Sequence, residues 1–133
     1  MVSATLSRER TPLSGRRILV VEDEYFLADD MSRAFRSCGA EVAGPVGDME
    51  DALRILHDGS IVDAAVLDVN IRNEMIFPIA QELRARHVPF VFTTGYDRIG
   101  ITPEFQDVPL WEKPIDVAAM IRELAGLIGP REV

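Results

Sequence analysis

Lysine is nearly absent from this chain. Of 14 basic residues, only Lys113 is lysine and the rest are arginine. Cysteine is as scarce: Cys38 stands alone, so no disulfide can close within the chain, and no ligand cluster of the zinc type accompanies it. Cys38 lies in an apolar helical pattern just before Gly39, which marks a buried structural thiol. No run approaches the roughly 18 apolar residues of a membrane span. Residues 1–15 lack the apolar centre of a signal peptide and read as a flexible tail, so the default compartment is the cytoplasm. Positive charge is also short. The formal net charge of −8 argues against non-specific binding to nucleic acid or to an anionic membrane surface.

What is present is one ordinary globular domain. At 133 residues the chain suits one domain and is too short for two. Its periodicity switches repeatedly. "RRILVVED" (16–23) is a short apolar run ending in acid, as a buried strand does. Leu27, Met31, Ala34, Phe35 and Cys38 then recur at helical spacing until Gly39. "AEVAGPV" is a shorter strand. Asp48 is placed as an N-cap for a helix through His57, with Asp51 at the capping-box position. "DAAVLDVN" (63–70) is a second apolar run ending in acid, and Ile76, Ile79, Ala80 and Leu83 mark the next helix. "VPFVFTTG" is a third buried strand. Residues 97–107 support little more than one helical turn, with Thr102 as its cap. "VPLWEK" is the last strand, and Asp116 caps a helix carrying Val117, Ile121, Leu124, Ala125 and Ile128. Alternating strands and helices predict a parallel sheet covered on both faces, in the flavodoxin-like order 2-1-3-4-5. His57 and His87 fall near helix ends, where they complement the dipole.

In such sheets the functional crevice lies beyond the carboxyl ends of the strands. Strand one ends in Glu22-Asp23, with Glu24 opening the helix; strand three ends in Asp68, with Asn70 two residues on; strand four ends in Thr93-Thr94-Gly95; strand five ends in Lys113-Pro114. Each alone has a plain explanation as a helix-start acid, strand former or turn opener. Four strand ends carrying polar groups toward one edge are harder to explain that way. Three gathered carboxylates repel one another and raise each other's pKa, which a hard divalent cation relieves. With the Lys113 ammonium the formal charges then cancel, and the site is ready for a phosphoryl group. Aspartate can form an aspartyl-phosphate. A Thr94 hydroxyl can report the group's arrival.

These residues resemble the receiver domain of two-component response regulators over residues 16–129, through "VVEDE", "VLDVN", "FTTG" and "EKP" in order. The resemblance implies a (βα)5 three-layer sandwich with Asp68 as phospho-acceptor. Asp23 and Asp68, with the backbone carbonyl of Asn70, would ligate Mg²⁺ (or Mn²⁺), and Glu22 would act through water. Thr94 would be the switch hydroxyl, and Lys113 would pair with Asp68 and then with the phosphoryl group, ahead of a cis bond to Pro114. The donor would be a histidine kinase or histidine phosphotransfer protein. With residues 130–133 as a tail and no output domain expected, the output would be binding to a downstream protein, or service as a phosphate sink, by a monomer or weak dimer. Such a protein is a phospho-acceptor and not a conventional enzyme. Where the family usually has an aromatic residue three positions before the lysine, this chain has Leu110. Phe92, Thr94, Gly95 and Tyr96 resemble instead the "FAT GUY" subgroup, in which the fourth helix is short or irregular. Trp111 reads as surface or interface packing.

The alternative within the family is a pseudo-receiver that binds partners without phosphorylation. A haloacid-dehalogenase-type phosphatase would place a second aspartate at position 70, where this chain has Asn70, and a flavin carrier would show a Ser/Thr/Gly-rich phosphate loop after strand one.

Overall fold

The computed structural model describes residues 13–95 and 100–129. Five strands form the main sheet: β1 (Arg17–Val21), β2 (Glu41–Val46), β3 (Ala64–Asp68), β6 (Phe90–Thr94) and β7 (Leu110–Glu112). A small hairpin joins β4 (Asn70–Ile71) to β5 (Glu74–Met75). Four α-helices follow the expected positions: α1 (Tyr25–Ser37), α2 (Met49–His57), α3 (Phe77–Ala85) and α4 (Val117–Ile128). The sheet order is β2-β1-β3-β6-β7, parallel throughout, which is the flavodoxin-like arrangement expected.

Strand alternation explains why the strands are apolar on both sides. Leu19, Val21, Leu67 and Phe92 pack with Leu56, Ile79 and Leu83 of α2 and α3. Their neighbours Ile18, Val20, Val66 and Val91 point the other way, onto Met31, Phe35, Met120 and Leu124 of α1 and α4. The three central strands, β1, β3 and β6, therefore fill two cores at once and leave neither face for water.

The helix starts divide. Asp48 and Asp116 cap α2 and α4, accepting the backbone N–H groups of Asp51 and Ala119. Asp51 does not complete a capping box, because its carboxylate takes a 2.6 Å bond from Arg54. In the fourth crossover Pro103–Phe105 forms a 3₁₀ turn, and no α-helix lies among its described residues. Thr102 precedes it without a side-chain cap bond, and its hydroxyl oxygen is buried without a partner. The turn is held by Phe105, which is fully buried and stacks on Phe77 at 5.6 Å. Tyr96 lies outside the described residues. Cys38 is half-buried against the α1–α4 core, less enclosed than its pattern suggested. Trp111 is packed within the chain: it lies against that same core and its indole N–H donates to Glu123 at 2.8 Å.

The two histidines do different things. His57, the last residue of α2, bonds Glu82 of α3 at 2.9 Å. His87 follows α3 with φ of 59°. Its N–H bonds the Arg84 carbonyl, and the Val88 N–H bonds that of Leu83. That is a Schellman-type stop, a position where glycine avoids the cost of a left-handed side chain. We expect His87→Gly to raise stability in urea unfolding by about 0.5–1 kcal/mol.

Candidate functional site

Register brings the strand ends to one level. Val21 pairs with Leu67, Asp68 with Thr93, and Thr94 with Glu112. The next residues out, Glu22 and Lys113, therefore emerge beside Asp68 and Thr94 at the carboxyl edge. Asp23, Asp68, Asn70, Thr94 and Lys113 line one cavity of about 390 Å³, together with Glu24, Arg72, Asn73 and Gly95. Glu22 sits behind them, buried to 2% exposure.

Lys113 is the hub. Its Nζ donates to Asp68 Oδ2 at 2.8 Å and to Glu22 Oε2 at 3.0 Å, and it lies 3.3 Å from Glu24 Oε1. Its backbone N–H donates to the Thr94 carbonyl, which fixes its stem to β6, and its bond to Pro114 is cis. Burial acts to depress the Lys113 pKa, but its bonds to Asp68 and Glu22 outweigh that and hold it above the ordinary lysine value. Glu22 moves the opposite way to most paired acids. Burial, aided by the Asp68 charge, raises it from 4.5 to about 7, against the bonds from the Glu24 N–H and Lys113. Asp68 Oδ1 accepts the Asn70 N–H at 3.1 Å, and Asp23 Oδ2 accepts the Arg72 N–H at 3.3 Å.

Oxygens of Glu22, Asp23 and Asp68 lie within 4.8 Å of one another. All the donors are hard carboxylates, and Asp23 is exposed to the cavity, so the cluster fits a hard divalent ion that keeps several of its waters.

Three neighbours were not singled out for the site from sequence. Glu24 read as a dipole-complementing helix start, yet its carboxylate meets Lys113. Thr93 read as a strand former; its hydroxyl is fully buried and donates to Glu22 Oε1 at 3.4 Å. Arg72 sits in the β4–β5 turn with φ of 49° and ties that hairpin to the Gly47 carbonyl through Nε. A cavity of about 400 Å³ at the opposite edge of the sheet is lined by Arg84, Phe90, Asp107 and Leu127 among others. Its arginine is already paired with Asp107 at 3.2 Å, and it holds none of the residues gathered around Asp68 and Lys113.

Fold and site together define a receiver domain. No family model matches the chain. Among solved structures, SdrG from Sphingomonas melonis Fr1 is 36% identical with a TM-score of 0.74, covering 86% of this chain and 97% of SdrG. A BeF3-activated conformation of SdrG from Pseudomonas melonis Fr1 is 34% identical with a TM-score of 0.68, covering 86% of this chain and 98% of that one. The response regulator receiver protein from Sinorhizobium medicae WSM419 shares the fold at 24% identity and a TM-score of 0.76, over 90% of this chain and 99% of that one. The transcriptional regulatory protein PdtaR of Mycobacterium tuberculosis is 25% identical over 112 residues, or 80% of this chain. The chain spans about half, 53%, of that relative's length. The chain belongs to the response-regulator receiver family, the signalling components of two-component systems. No described helix is long and apolar enough to cross a membrane.

Proposed function

We propose that this chain is a phosphorylatable receiver, accepting a phosphoryl group on Asp68 from a histidine kinase or phosphotransfer protein and signalling by binding a downstream protein. The observation that carries this is Asp68 itself. It is 4% exposed yet lines an open cavity, with one oxygen on Lys113 and the other on a backbone N–H. In the transfer, an Asp68 carboxylate oxygen bonds to phosphorus as the bond from phosphorus to the donor's imidazole nitrogen breaks. The Lys113 ammonium moves from the carboxylate to a phosphoryl oxygen. The Thr94 hydroxyl, at the end of β6, then hydrogen-bonds that group and couples its arrival to the outer surface. Asp23, Asp68 and the Asn70 carbonyl, with Glu22 through water, would hold a Mg²⁺ or Mn²⁺, which would neutralise charge on the phosphoryl oxygens.

A protein donor is favoured by what stands next to the cavity. Tyr25 and Phe26 open α1 at 75% and 82% exposure, edge to face at 5.5 Å. An exposed ring pair directly after Glu24, which lines the cavity, suits a protein surface docking there. We also assign the chain to the "FAT GUY" type. Its support is Phe92, Thr94 and Gly95 on and after β6, the 3₁₀ turn at Pro103–Phe105, and Leu110 packed into the α2–α3 core.

Beryllofluoride with Mg²⁺ tests the reading. The wild type is expected to bind both, with amide shifts at Asp68, Thr94 and Lys113 in NMR, and Asp68→Asn to show none. No shift in the wild type would refute an acceptor role. Full partner affinity in Asp68→Asn would make the chain a phosphorylation-independent binding module instead.

A further inference from the structure

We propose that Glu24 sets donor specificity at this cavity, disfavouring small polyanionic phosphoryl donors and so favouring a phosphohistidine carried by a protein. The inference rests on the acceptor reading of Asp68 and adds the class of donor it takes.

Glu24 stands at the N-cap of α1, but its carboxylate makes no cap bond there. Its backbone is fixed independently: the N–H bonds Glu22 Oε2 at 3.0 Å, and the carbonyl accepts the Ala28 N–H at 2.9 Å. No hydrogen bond of the helix start therefore depends on the side chain. That side chain is 60% exposed and lines the cavity, 3.3 Å from Lys113 Nζ. Three acids and one ammonium, namely Glu22, Asp23, Asp68 and Lys113, are balanced once a divalent ion is bound. Glu24 is then a further negative charge at the mouth, and Arg72, the other cation among the described lining residues, is turned through Nε onto the Gly47 carbonyl.

Two effects of Glu24 act in one direction on a small anionic donor. The carboxylate repels the approaching phosphoryl group, twice as strongly for a dianion as for a monoanion. It also competes for the ammonium that must pass to the phosphoryl oxygen. On a protein, basic side chains around the phosphohistidine can meet Glu24 and turn the same charge into attraction, which raises the association rate. The charge thus separates donors by what surrounds the phosphoryl group.

The test compares wild type with Glu24→Gln and Glu24→Ala at saturating Mg²⁺, using acetyl phosphate and phosphoramidate. Transfer from acetyl phosphate forms the bond from Asp68 oxygen to phosphorus as acetate leaves with the electrons of the broken P–O bond. Transfer from phosphoramidate breaks the P–N bond and releases ammonia. Labelling is read by intact-protein mass. We expect Glu24→Gln to label about three- to tenfold faster with acetyl phosphate, a dianion, and only about two- to threefold faster with the phosphoramidate monoanion. In 0.5 M salt the two gains should converge, since the Debye length falls to about 4 Å. Equal gains on both donors at low salt, or no gain, would overturn the role of Glu24 while leaving Asp68 as the acceptor. Absence of labelling in every variant with both donors would overturn the acceptor reading and this inference with it.

Discussion

Replacing Glu22 with glutamine is expected to stabilise the metal-free protein at pH 8 and to weaken its hold on Mg²⁺. The two effects share one cause. Glu22 is 2% exposed, and burial raises its pKa from 4.5 to about 7 even though Lys113 and the Glu24 N–H both bond it. The favourable contacts are already included in that balance, so the charged form remains the disfavoured one. A folded pKa above the unfolded value means the fold binds a proton that the unfolded chain releases. The associated stability is fully present below about pH 4.5 and is lost as pH rises through about 7. Taken at face value a rise from 4.5 to about 7 corresponds to about 3 kcal/mol, and screening from the open cavity beside the group reduces this to about 1–2 kcal/mol. Glu22→Gln removes the titration and keeps an acceptor oxygen for Lys113. Without metal, its advantage over wild type in urea unfolding should be about 1–2 kcal/mol at pH 8 and near zero at pH 4.5. Adding Mg²⁺ should reverse the order, because a cation rewards the carboxylate that the fold alone penalises. A mutant less stable than wild type at pH 8, or one with the same pH slope, would show that Glu22 is held charged at no cost.

The same residue shows how far sequence reading reaches. The strands, their order and the gathering of Asp23, Asp68, Thr94 and Lys113 follow from period and position, because a parallel sheet sends every strand's carboxyl end to one edge. Which of two adjacent acids goes inward does not follow. Glu22, the first residue past β1, keeps a backbone bond to the Val46 carbonyl of β2 and is buried, whereas Asp23, one residue on, is exposed. Thr93 and Thr94 pose the same problem. Both are buried, yet one hydroxyl reaches back to Glu22 while the other residue lines the cavity. The β4–β5 hairpin carried no readable signal. Its turn is Arg72-Asn73 with φ of 49° and 68°, where glycine would have announced it. The bond from Glu24 to Lys113 joins residues far apart in sequence, and a helix-start acid hides it behind its commoner role. Trp111 read as surface or interface packing, but strand alternation sends Leu110 to one side of the sheet and Trp111 to the other, each against a core.

The single lysine yields the other large expected effect. Lys113→Arg, conservative in charge, should retain Mg²⁺ binding within about threefold and lose most of the switch. One Nζ atom stands 2.8, 3.0 and 3.3 Å from oxygens of Asp68, Glu22 and Glu24. An ammonium has three N–H donors diverging from one nitrogen, one for each carboxylate. A guanidinium spreads its five donors in a rigid plane, so no one of its nitrogens can serve three converging acids. Its larger head must also fit where the lysine is only 16% exposed, between β7 and Asp68. The positive charge remains, so the balance that governs cation binding changes little. What should fail is the transfer of one compact donor from Asp68 to a phosphoryl oxygen, by a residue whose backbone N–H is bonded to the Thr94 carbonyl. In NMR, Lys113→Arg should still bind beryllofluoride with Mg²⁺, but the Thr94 amide shift seen in the wild type should fall severalfold. Phosphorylation-dependent partner affinity should fall by about tenfold or more, the equivalent of about 1.4 kcal/mol. A wild-type Thr94 response in that mutant would mean that any cation suffices at this position, and that the chain's one lysine is an accident of composition.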